Sequence, residues 1–282
     1  MLCSVQKINV CYARAPDKQD LQLQTVKGVM VGTMAEKLVH LITAQRTLIA
    51  GILGSLLALW VVDNAVANKP AAFNFILHDG LSESDIVHIQ MALTEKRPAV
   101  LAALGLAQMP TVTVQIWHDE TRYQDAMEST LGMRAPGSRG YVTGATEIRL
   151  LRHQQLSAQR EAVHEFAHAA TLTLNPDFGN NPRWLWEAAA IYLAGEFVDP
   201  RVVEQFRGNQ CPSLATLNSP FDRGGSIYSS GYLLGEFIVT QWGVSSLPDL
   251  VSSNGNTEAV LNVSETEFED RWCAFVQEKY LQ

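Results

Sequence analysis

The chain has 282 residues, of which 47% are apolar and 18% charged, a composition that can bury a core and is not that of a disordered polymer. Its net charge of -8 is carried beyond residue 67, where 15 Lys and Arg stand against 25 Asp and Glu. An acidic body without a basic cluster argues against a nucleic-acid partner, because phosphate binding needs clustered Lys and Arg.

The first predicted element is a leader, residues 1-67. Residues 48-62 (LIAGILGSLLALWVV) are an uncharged apolar run. That run is at the upper limit of a signal-peptide core and short of the roughly 20 residues that span hydrocarbon. Lys37 and Arg46 precede it, and Ala65-Val66-Ala67, a small-x-small cleavage pattern, follows it. The mature chain is therefore expected to start at Asn68 and to act in the periplasm or as a secreted protein. The alternative is an uncleaved anchor through residues 48-62 that holds the body outside the cytoplasm. A start at Met34 would give the leader a charged region of ordinary length. The body, residues 68-282, keeps only Cys211 and Cys273, far apart in sequence. No Cys-rich zinc site is available from these, and a disulfide between them is expected in an oxidising compartment.

In the body, Phe73 to His78 reads as a strand, and Ser82 with Asp85 as a capping pair that opens a helix ending at Gly105, with Pro98 expected to kink or restart it. Thr111 to Trp117 alternates as a strand, and a helix is expected over Glu120 to Leu131. Gly132 to Gly144 reads as a loop, and Glu147 to Leu151 as an edge strand entered by a glycine turn. The next helix runs from about Ala158, capped by Ser157, to Leu174, where Asn175-Pro176 ends it. Asn181-Pro182 opens another through Leu193, and Asp199-Pro200 a short one to Phe206. Helices are expected at Ser226 to Trp242, Val244 to Ser252 and Glu265 to Tyr280, the last with Ser264 and Glu267 as a capping box.

The chemistry centres on His164-Glu165-Phe166-Ala167-His168, in the middle of a predicted helix. Residues four apart project from one helix face, so both imidazoles can reach one ion. Two imidazoles and a carboxylate suit one Zn2+ with an open position for water, and Glu165 is placed to take that water's proton. Eighteen residues after His168 comes Glu187, an interval that fits a helix end, a loop and a returning helix, and makes Glu187 the third ligand. The bland alternative leaves two core histidines and a solvated Glu187.

With Trp184-Leu185-Trp186-Glu187-Ala188-Ala189-Ala190 following that motif, the chain resembles the gluzincin zinc metallopeptidases, particularly peptidase MA-like domains. Ala188 stands where the family often has Gly, and Ile191 where thermolysin-like members have Asp, which leaves the residues that orient His164 and His168 unassigned. The resemblance implies an α+β gluzincin (thermolysin-like) fold, with a small mixed-sheet lobe that includes the motif helix, then a helical lobe. It also implies peptide-bond hydrolysis of a peptide or protein substrate. A Tyr from a later helix would stabilise the oxyanion, Tyr228 first and Tyr232 second, or else both simply pack. Substrate is expected to run along Glu147 to Leu151, adding a strand. The second functional expectation is an exported or membrane-tethered zinc-binding assembly factor with a non-catalytic peptidase fold.

Overall fold

The computed structural model describes residues 71–153, 155–219 and 226–282, without the side chains of 155, 156 and 209. The leader, its apolar run 48-62 and the cleavage pattern lie outside the described residues. Among the described residues no helix is long and apolar enough to cross a membrane.

The first half of the body is a mixed sheet with helices on both faces. Its strands are β1 (Phe73–Leu77), β2 (Val112–Trp117), β3 (Gly140–Gly144) and β4 (Glu147–Leu151), in the order β1-β2-β4-β3. β1, β2 and β4 are parallel, while β3 runs antiparallel to β4. Strand alternation sends Val112, Val114, Ile116, Ile148 and Leu150 to one face. There they meet helices α1 (Glu83–Ala103) and α3 (Gln155–Leu174), which contribute Ile86, Ile89, Leu93, Ala162 and Phe166. The opposite face presents Trp117, Tyr141 and Leu151 to Tyr123 and Met127 of α2 (Glu120–Leu131).

The second half is helical: α4 (Arg183–Ala194), α5 (Leu214–Leu217), α6 (Ser226–Trp242), α7 (Ser246–Ser252), α8 (Thr257–Leu261) and α9 (Glu265–Tyr280). A second core of Trp184, Leu185, Leu234, Phe237, Phe268 and Trp272 holds it together. The α4 and α6 backbones approach closely at two glycines. A Cβ on Gly231 would lie 2.6 Å from Ile191 Cδ1 and 3.2 Å from Ala188 Cα, and one on Gly235 would strike Tyr192. Cys211 and Cys273 form a disulfide, Cα atoms 5.5 Å apart, that ties the connection before α5 to α9.

The architecture is the expected sheet lobe followed by a helical lobe, with several corrections. Glu147–Leu151 is not an edge strand, because β3, in a stretch read as loop, pairs outside it and takes the edge. α1 continues through Pro98, whose ring sits on the exposed side while Leu93, Val100 and Leu101 bury the other. Ser157 lies inside α3 rather than capping it, and bonds His153 at 3.1 Å. Pro182, not Asn181, takes the α4 N-cap. The Asp199-Pro200 start yields two 3-10 turns, Pro200–Val202 and Glu204–Asn209, since Val203 between them is extended at φ -95° and ψ 124°. Helix α7 begins at Ser246 instead of Val244.

Candidate metal centre

Helix α3 faces two ways. Phe166, Ala167, Ala169 and Ala170 are fully buried, mainly against the sheet, which turns His164, Glu165 and His168 toward α4. Asn175 ends the helix and donates to Val251 O at 2.8 Å, after which buried Phe178 anchors the turn that brings α4 back. Glu187 then sits midway along α4, and all three candidate ligands are at most 9% exposed.

Glu187 Oε2 lies 3.4 Å from His164 Nε2 and 3.8 Å from His168 Nε2. One donor atom from each of the three lies within 4.8 Å of the others. Tetrahedral zinc with bonds of about 2.0–2.1 Å separates its ligand atoms by about 3.3–3.4 Å, so the donor set fits one such ion. Buried Glu187 Oε2 makes no well-formed hydrogen bond, its nearest partner being His164 Nε2 at 3.4 Å, and a cation would satisfy it. The ring of His168 stacks on Trp186, centroids 4.0 Å apart and planes 9° off parallel, which fixes its orientation.

Two glutamates flank the ligands. Glu196 Oε1 is 3.3 Å from His164 Nδ1. It gets there because Gly195, at φ +75°, ends α4 in the left-handed region and turns the chain back, with Glu196 N donating to Ile191 O at 2.9 Å. Sequence spacing did not indicate this residue. Glu165 is 8% exposed and lies beneath β3, where a Cβ on Gly140 would fall 2.5 Å from its Cγ and Oε1. A side chain at position 140 would occupy the space of that carboxylate.

The electrostatics follow from burial. Burial pushes Glu165 up to about 8, with His164 opposing and Glu187 adding to the rise. For His164 burial disfavours the charge, but Glu187 and Glu196 outweigh it and raise the imidazole well above its ordinary range. Burial pushes His168 well below that range, and the His164 charge adds to the effect.

A cavity of about 800 Å³ opens onto these groups, lined also by Gly140, Glu161, Arg183 and Tyr228. Tyr228 is half exposed, yet its phenol is raised to about 12 by desolvation and by Glu187, with Arg183 opposing. Tyr232, one turn on, does not line the cavity and packs against Tyr192 and Phe197. The structure thus brings together His164, Glu165, His168, Glu187 and Tyr228. No protein-family model matches the chain, and no curated protein shows significant similarity to it.

Proposed function

We propose that the chain is a zinc-dependent peptidase of the gluzincin type, with His164, His168 and Glu187 as ligands of one Zn2+. The observation that supports it best is the spacing of three buried donors at 3.4 and 3.8 Å beside a desolvated Glu165. When bound, Zn2+ supplies a Lewis acid that polarises a water molecule and a carbonyl group. Glu165 accepts the proton of the attacking water and delivers it to the leaving amine. The Tyr228 hydroxyl donates a hydrogen bond to the oxyanion of the tetrahedral intermediate. An extended peptide would add to the free edge of β3, where Gly140 keeps the approach to Glu165 clear. Export, with residues 48-62 as signal core or anchor, remains part of the proposal.

The test is zinc content together with hydrolysis of denatured protein substrates by the purified body. One zinc per chain and turnover abolished by Glu165→Gln with zinc retained are the expected results. Stoichiometric zinc surviving Glu187→Ala would overturn the ligand set. Zinc held without any turnover would leave a non-catalytic binding role.

A further inference from the structure

We propose that Arg183 binds a carboxylate of the substrate, an inference that rests on the peptidase reading and names the substrate chemistry the cavity selects. Arg183 stands in the first turn of α4, four residues before Glu187, so both project from one face of the helix toward the cavity. Its Nη1 donates to Leu217 O at 3.1 Å, and its Cζ lies 5.6 Å from the centre of the Tyr228 ring. A carbonyl and an aromatic ring, both neutral, therefore hold the guanidinium in place. Among the described residues its charge is not spent on a carboxylate, and its planar fork keeps N–H groups for one. Asn180, just before α4, lines the same cavity and adds an amide donor.

The other arginine of the cavity lining, Arg139, interacts electrostatically with the Glu161 carboxylate. Glu196 is engaged with His164 Nδ1, and Glu161 Oε1 lies 3.7 Å from His153 Nε2. Glu196 sits on the Nδ1 side of His164, away from Glu187, and with Glu161 offsets the charge of Arg139 in that part of the cavity. Arg183 and Tyr228 flank Glu187 and attract a substrate anion. The carboxylate comes either from the C-terminus of the peptide or from an Asp or Glu side chain, and the same fork recognises both.

The experiment uses the zinc-loaded protein and one peptide sequence in three forms: free acid, C-terminal amide, and C-terminal amide with one internal Glu. The expected result is that one carboxylate-bearing form is cleaved with kcat/KM at least about tenfold above the neutral amide, the loss associated with one charge-assisted fork. The preferred form identifies the carboxylate's source. Arg183→Gln should bring the ratio near one, and Arg183→Lys, which keeps the charge but not the fork, should give an intermediate ratio. Zinc content and melting temperature of both variants separate this effect from unfolding, because Arg183 also bonds Leu217. Equal cleavage of all three forms by the intact protein overturns the proposal, as does a preference that survives Arg183→Gln. If the intact protein cleaves none of them, the peptidase reading fails on its own. Equilibrium binding of the three peptides to Glu165→Gln protein then decides the carboxylate site, and equal affinities overturn it.

Discussion

Replacing Glu196 with Ala should weaken zinc binding while leaving the three ligands in place. Carboxylates that accept from the far nitrogen of a ligating imidazole orient the ring, and their removal costs about 10–100-fold in metal affinity. The Glu196 to His164 separation is 3.3 Å, long for a charge-assisted bond of about 2.7–2.9 Å, and its side chain is 24% exposed. Both facts put the effect at the lower end, about tenfold or about 1.4 kcal/mol. Competition of the metal-free protein against a chelator of known zinc affinity measures it. Glu196→Gln keeps an oxygen that can accept from Nδ1 and should recover most of the affinity. Unchanged zinc affinity in Glu196→Ala, with the fold intact, would refute the argument that this contact holds the ligand.

Three further outcomes are expected. Gly140→Ala should lower hydrolysis at least about tenfold without loss of zinc, since the three atoms nearest the new Cβ all belong to Glu165, which must be displaced; parallel zinc and activity assays check it. Zinc binding should release at least one proton, because Glu187 and Glu196 hold His164 well above its ordinary range in the metal-free site, while His168 is pushed below it and Glu165, raised to about 8, can give up a second. Affinity should therefore rise at least about tenfold per pH unit through neutral pH, and a flat profile between about pH 6 and 7 would contradict this. The Cys211→Ser, Cys273→Ser double variant should lose about 2–4 kcal/mol in denaturant unfolding, since the bridge closes 62 residues of sequence.

Most of the architecture was legible because its elements carry their own period. Val112, Val114 and Ile116 alternate along β2, and His164 and His168 share a helix face. β3 was not legible: its strand formers Tyr141, Val142 and Thr143 are only three residues between Gly140 and Gly144, too short a run to stand out from a glycine-rich stretch before it pairs with β4. Missing it moved the sheet edge to the wrong strand. Pro98 misled in the opposite sense, since buried residues on both sides outweigh one lost hydrogen bond on an exposed face. The candidate ligands could be read because two come from one helix and the third from the next. Glu196 depends on the chain reversal at Gly195, and the only local sign was a glycine followed by an acid just past the ligand helix. Tyr228 was ranked ahead of Tyr232 on resemblance alone, because the rotation of α6 on α4 decides which one enters the cavity.

The three candidate ligands stand on helices rooted in different cores. Helix α3 is anchored in the sheet core by Phe166 and Ala162, while Trp184 and Leu185 anchor α4 in the helical core. An ion gripped by all three residues would act as a rivet between the halves of the body, and its binding free energy would be added to their cohesion. At a free concentration a thousandfold above its dissociation constant, that addition is about 4 kcal/mol, a large share of a typical domain's stability. A metal-free molecule would lack that addition and unfold at a lower denaturant concentration, held across the two cores by packing such as that of Ala190 of α4 in the sheet core.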